Sequence, residues 1–311
     1  MDVKNQKITK RFALYNGDCC KVLPELKDES IGFSIFSPPF SSLYSYSDSD
    51  ADMSNAANYR VFFKHFCFLI EQLERVMKPG RVVAVHCMDL PVLKQESGEI
   101  GLRDFPGDII KAFRKYGFIY HSRHCIWKDS LLAAVRTHAI GLAHKQIVKD
   151  SAMCRMGIPD YILAFRKPGE NPKPIENEGG LTKYYGSRTI PRELERFVGH
   201  KEQGTNKRSH WIWQQYASPV WFDIRQTRVL SYREGKDKDD EKHIAPLQLD
   251  TIERCIALWS REGDVVLDPF AGIGSTGWVA LRSRRRVILI ELKSSYYRQM
   301  LRNIESLRIT K

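Results

Sequence analysis

At 311 residues the chain can bury a full core, as one large α/β domain or as one domain with an insertion, which excludes a mini-protein. Lys and Arg outnumber Asp and Glu by 49 to 37, a formal charge of +12 with a pI near 9.3, which favours an anionic partner such as nucleic acid. Seven cysteines, odd in number and without a C-x-x-C pair, fit neither a disulfide framework nor a zinc site and are expected mostly as reduced core thiols. No apolar run reaches the width of a bilayer and MDVKNQKITKRF has no signal-peptide core, so a cytoplasmic protein without a membrane segment is expected.

In chain order, FALYN at Phe12–Asn16 and IGFSIF at Ile31–Phe36 have the length and apolar content of short strands, bracketed by the turn-formers GD and SPP. The following segment places Phe62, Phe66, Leu69, Leu73 and Val76 at helical spacing and stops at KPG. RVVAVHC reads as a strand, residues 107–116 as a helix, and FIYHSRHCIW and DYILAFR as further strands. Alternating strand and helix predicts an open, mostly parallel sheet, although the last two runs could pair as an antiparallel edge. His86 and His124, each before a cysteine on a strand, are expected in the core.

KPGENPKPIENEGG, with its Pro, Gly and charge, reads as a linker. Residues 181–233 then carry ten basic against four acidic side chains, half of the whole net charge, interleaved with Tyr184, Tyr185, Trp211, Trp213, Tyr216 and Trp221. Cations for phosphates alternating with aromatic faces suit a nucleic-acid-reading insert. Trp213 and Trp221 are expected buried in a small satellite core. From Asp264 the α/β pattern resumes as strand, Gly-rich turn, helix, strand and helix, so a sheet begun before the insert is completed after it.

Two loops carry candidate chemistry. In DPFAGIG, Gly272 and Gly274 let the backbone approach a ligand at the end of a strand, but the third glycine of a dinucleotide fingerprint and the GK[ST] of a phosphate loop are missing. A ligand without pyrophosphate is therefore expected, with Glu291 closing the next strand and placed to accept from two ribose hydroxyls. In SPPF, Pro38 and Pro39 have fixed φ and no N–H, so the loop cannot continue the sheet. The Ser37 hydroxyl and a rigid carbonyl can accept both protons of an exocyclic amine, while the Phe40 ring stacks on the base that bears it.

Ser37-Pro38-Pro39-Phe40 early, a basic aromatic insert in the middle and Asp268-Pro269-Phe270-Ala271-Gly272-Ile273-Gly274 late resemble, in type and order, the permuted β class of S-adenosylmethionine-dependent DNA amino-methyltransferases. LYNGDC resembles the segment whose acid, here Asp18, lies by the cofactor adenine. HIAPLQLDTIERCI resembles the lead-in to the cofactor motif, keeping His243 and Pro246 of the commoner HPxxKP form. The resemblance covers the two flanking blocks and leaves the insert unaligned.

It implies an α/β, Rossmann-like seven-stranded methyltransferase sheet with circularly permuted motif order and an inserted target-recognition region. The catalytic half would span 1–168, the linker and insert 169–242, and the cofactor-binding half 243–311. It also implies S-adenosylmethionine as cofactor, double-stranded DNA as partner, and direct methyl transfer to the amine of a flipped base without a metal. Ser37, Pro38, Pro39 and Phe40 would act on the base. Asp18, His243, Pro246, Asp268, Phe270, Gly272, Gly274 and Glu291 would hold the cofactor. Arg136, Lys145, Arg155, Arg188, Arg192, Lys207 and Arg208 are the candidate DNA contacts. Serine in the first motif position is commoner among cytosine-N4 enzymes, which favours that base over adenine N6. An RNA or protein-glutamine methyltransferase and an inert DNA-binding protein on the same fold are the alternatives. The recognition sequence, a homodimer and a restriction endonuclease partner are not readable from the sequence.

Overall fold

The structure, a computed structural model, describes residues 2–39, 59–92, 98, 101–132, 142, 144–154, 156–177, 179–200, 202–231 and 246–307. Its centre is a nine-stranded sheet of β1 (Asn5–Ile8), β2 (Phe12–Asn16), β3 (Ile31–Phe36), β4 (Met77–Met88), β7 (Ile119–Ile126), β8 (Asp160–Arg166), β9 (Val220–Trp221), β10 (Val265–Asp268) and β11 (Arg286–Glu291), in the order β1-β2-β11-β10-β3-β4-β8-β7-β9. A separate two-stranded sheet pairs β5 (Leu90–Val92) with β6 (Gly101–Arg103). The five strands from β2 to β4 are all parallel. The alternative left open for FIYHSRHCIW and DYILAFR is the one realised, since β8 runs antiparallel to both β4 and β7. The count is nine rather than the expected seven because the exposed β1 and the two-residue β9 extend opposite edges.

Every residue of β3 is buried, as a strand covered on both faces requires. One face packs α1 (Cys19–Val22), α2 (Tyr59–Val76) and α3 (Phe105–Lys115). The other packs α6 (Leu249–Trp259), α7 (Ser275–Arg282) and α8 (Ser294–Glu305). Short α4 (Lys145–Lys149) and α5 (Lys207–Ala217) lie between β7 and β9 in the chain. The helical spacing of α2 puts Phe62, Phe66, Leu69, Leu73 and Val76 into the first of these cores. The KPG stop works differently from expectation: β4 starts directly at Met77, and Gly80, at φ +70°, sits in an irregularity where the register moves from Ile31↔Met77 to Phe33↔Val82.

The chain leaves β10 toward α7 on one face and leaves β3 toward α2 on the other. Adjacent parallel strands with oppositely directed connections leave a crevice at their carboxyl ends, where open α/β sheets bind ligands. Both loops singled out in the sequence lie there.

The insert is continuous with the sheet edge through β9. Trp221 is fully buried, as expected, but Trp213 is 58% exposed. On α5 the buried positions Ser209, Ile212 and Tyr216 form one helical stripe, and Trp213 falls off it. The cysteines also depart from expectation: all seven are free, but only Cys19, Cys87 and Cys255 are buried. No helix among the described residues is long and apolar enough to cross a membrane.

Candidate active site

Four neighbouring parallel strands deliver the predicted groups to one edge: Asp18 beyond β2, Glu291 ending β11, Asp268 ending β10 and Ser37 beyond β3. The loops are tied together. Asn16 Nδ2 donates to the carbonyls of Glu291 and Leu292 at 2.9 and 3.1 Å, and Gly17 N donates to the Glu291 carbonyl at 3.0 Å. Asp18 caps α1, its carboxylate accepting from Cys20 N at 2.8 Å.

Glu291 accepts from Gly272 N at 2.7 Å through Oε2 and from Lys293 N at 2.8 Å through Oε1, so its carboxylate is aimed at the Gly-rich turn. The two glycines serve different needs. Gly274, at φ +88°, would push a Cβ to within 2.9 Å of Met300 Cγ, whereas a Cβ on Gly272, at φ +53°, would meet nothing within 4 Å. Gly274 packs the turn against α8, and Gly272 borders open space. Asp268 is 4% exposed and accepts from Phe270 N at 3.0 Å. Burial pushes its carboxyl up to about 7, against the opposing hydrogen bonds from Thr276 and the Phe270 N–H. Phe270 packs on Phe36 with ring centroids 5.7 Å apart, joining the Gly-rich loop to the SPP loop. Pro38 is buried and Pro39 half-buried. Phe40 and His243 lie outside the described residues; Pro246 is half-buried just before α6.

Three groups were missed by sequence reasoning. Ser37 Oγ lies 2.8 Å from His86 Nδ1, His86 Nε2 lies 3.1 Å from Asp160 Oδ2, and Asp160 Oδ1 lies 2.6 Å from Lys128 Nζ. Burial opposes ionisation of Asp160, but attraction and hydrogen bonds from His86 and Lys128 outweigh it and hold the carboxyl below the usual range. His86 is buried, as expected, yet it also faces the catalytic loop. The available signal was the lone acid heading the apolar run DYILAF and the lone imidazole in VVAVH, because a buried polar group requires a partner. His124, by contrast, is a core residue, stacked on Trp221 at 4.6 Å and donating from Nδ1 to the Ser218 carbonyl at 3.0 Å.

The predicted DNA contacts do not gather into one cluster of free cations. Lys145, Arg188, Arg192 and Lys207 are exposed, Arg188 donating to Gln215 Oε1 at 2.8 Å. Arg208 is held inward by Glu195 at 2.8 Å and the Thr182 carbonyl. Arg136 and Arg155 lie outside the described residues.

Known proteins were compared with this arrangement. M.BamHI, a type II methyltransferase of Bacillus amyloliquefaciens, is 24% identical over 94% of the chain, which spans 57% of that relative's length. YhdJ, a DNA adenine methyltransferase of Escherichia coli K12, is 46% identical over 92 residues, covering 30% of this chain and 29% of YhdJ. Two solved structures share the fold. One is described as a DNA modification methylase of Thermus thermophilus in complex with S-adenosyl-L-methionine (TM-score 0.62, 22% identity, 96% of this chain and 95% of that one). The other is the cytosine-N4-specific PvuII DNA methyltransferase (TM-score 0.63, 15% identity, 97% and 90%). The family model for N6/N4 DNA methylases matches residues 31–302, from the strand that carries Ser37, through the insert, to the last helix. The chain belongs to this DNA methylase family.

Proposed function

We propose that the protein transfers a methyl group from S-adenosylmethionine to an exocyclic amine of a base flipped out of double-stranded DNA, with cytosine N4 favoured over adenine N6. The observation that carries this reading is the meeting of the SPP loop and the Gly-rich loop in one crevice, in contact through Phe36 and Phe270.

The residues present fit the cofactor. Open space beside Gly272 leaves room for a ligand against the backbone. The buried Asp268 carboxyl lacks an ion-pair partner among the described residues and would gain one in the cofactor's ammonium. Glu291, oriented by two backbone N–H groups, keeps lone pairs for ribose hydroxyls. Asp18, His243, Pro246, Phe270 and Gly274 complete the proposed cofactor set. When bound, the cofactor supplies an electrophilic methyl on a sulfonium.

The chain's task is to hold a conjugated, weakly nucleophilic amine in line with that methyl. Ser37 Oγ and the Pro38 carbonyl accept its two protons and draw its electron pair out of conjugation, and Phe40 stacks on the base. We divide the chain accordingly into a catalytic half at 1–168, a target-recognition insert with its linker at 169–242 and a cofactor half at 243–311.

The serine of the first motif position supports cytosine. Adenine N6 is the second reading, supported by the local likeness to YhdJ. The test is to incubate the protein with DNA and labelled cofactor, digest the DNA to nucleosides and analyse these by mass spectrometry. N4-methylcytosine is expected. N6-methyladenine would reverse the choice of base, and label in RNA or protein glutamine but not DNA would overturn the reading.

A further inference from the structure

Ser37, His86, Asp160 and Lys128 belong to β3, β4, β8 and β7 or to the residues just beyond them, four consecutive strands of the sheet. The chain of contacts between them therefore crosses the sheet edge beside the crevice without interruption. Its chemistry has a direction. An ionised Asp160 can only accept, so it keeps a proton on His86 Nε2 and leaves Nδ1 as a lone pair facing the Ser37 hydroxyl. Ser37 then donates to His86, and its own lone pairs are turned toward whatever occupies the crevice.

Methylation creates a proton that must go somewhere. As the amine nitrogen forms its bond to the methyl carbon, the carbon–sulfur bond breaks and its electron pair stays on sulfur. The nitrogen is left cationic with one hydrogen too many. A serine hydroxyl can accept a hydrogen bond from it but is too weak a base to keep the proton, whereas an imidazole behind the hydroxyl can.

We propose that His86, oriented by Asp160 and Lys128, is the positioning residue that sets the Ser37 hydroxyl as an acceptor and, through it, takes up the proton the amine loses. The inference rests on the amino-methyltransferase reading. The amine gives its proton to Ser37 Oγ as Ser37 gives its own to His86 Nδ1, so charge and hydrogen balance with no further reactant. The donor order is that of a Ser–His–Asp nucleophile, but the residue after Ser37 is a proline and has no N–H for an oxyanion, which argues against acyl transfer here. Among the described residues, the charged groups facing His86 are Asp160 and, behind it, Lys128. His124 lies on the same sheet face with Ile162 between, and burial holds it below the usual imidazole range.

The test uses the full-length protein with His86→Gln, which can still accept from Ser37 but cannot take up a proton, and His86→Ala, which does neither. Single-turnover methyl transfer at saturating DNA and cofactor should slow ~100-fold in His86→Gln, with cofactor and DNA affinity unchanged. The acid-side fall of the wild-type rate, where an imidazole becomes protonated, should disappear. In a Ser37→Ala background His86→Gln should have no further effect. Independently of activity, nitrogen NMR of the protein without cofactor should find the His86 proton on Nε2 in the wild type and redistributed in Asp160→Asn. A His86→Gln rate within about twofold of wild type with the acid limb retained, or a wild-type proton on Nδ1, overturns the proposal. A wild-type protein that methylates no DNA would instead sink the functional reading beneath it.

Discussion

Arg225 and Arg228, late in the basic insert, are paired with Asp250 and Glu253 of α6, whereas Arg192 and Lys207, earlier in the insert, stand exposed. The late arginines fasten the insert to the cofactor half: Arg225 grips Asp250 through both Nε and Nη2, at 2.9 and 2.6 Å, and Arg228 Nη2 reaches Glu253 Oε1 at 2.8 Å. From the other side, Arg254 of α6 enters the insert, donating to Asp223 at 2.6 Å and to the Tyr185 carbonyl at 2.7 Å between the rings of Tyr184, Tyr216 and Trp221. Gly186 is required against this cluster, since a Cβ there would lie 2.5 Å from Arg254 Nη2. The two regions carry the same residue type, and only the earlier one leaves charge free for a polyanion. Net charge counted along a sequence is therefore an upper bound on the charge that can meet phosphate.

The largest effect is expected where that fastening is most buried. Arg254 is fully buried and Asp223 nearly so, hence Arg254→Met should cost about 3–5 kcal/mol of unfolding free energy in urea, because Asp223 is left buried without its cation. Adding Asp223→Asn should recover much of the loss. A single variant with wild-type stability would show that the insert is held by its apolar contacts alone.

A buried carboxyl without an arginine sharpens the contrast. The pKa of Asp268 is raised by burial to about 7, so the native state binds its proton more tightly than the unfolded chain. Its stabilising contribution is full below about pH 4 and is lost as pH rises through about 7. Asp268→Asn should remove that fall, leaving the variant more stable than wild type above neutrality by on the order of 2–4 kcal/mol. Parallel melts from pH 4 to 8 would check it, and curves of equal slope would remove Asp268 as the cause. The same sign makes binding of a cationic cofactor strengthen with pH across this window.

The smallest effect on stability belongs to the free cations. Replacing Arg188 and Arg192 with Ala should leave stability within about 0.5 kcal/mol. If both meet phosphate, the slope of log affinity against log salt should fall by about 0.9 for each phosphate no longer neutralised. An unchanged slope in a DNA-binding titration would mean that these arginines face solvent in the complex as well, and the distinction between the two regions would lose its functional side.

The amino-acid sequence by itself determined the local elements. FALYN and IGFSIF are β2 and β3 to the residue, and the helical spacing of Phe62 to Val76 became the buried face of α2. The two site loops could be located because their signals are also local: prolines that end a strand, and glycines that let a backbone turn. Tertiary structure decided the rest. That β8 lies between β4 and β7 and antiparallel to both, that Trp221 is buried while Trp213 is not, that Arg228 belongs to Glu253, and that His86 meets Asp160 across two strands are all pairings between segments far apart in the chain. Periodicity and turn chemistry act over a few residues and report which face of an element is apolar. They carry no information on which polar group a distant strand will bring opposite, and the contacts of Ser37 are of that second kind.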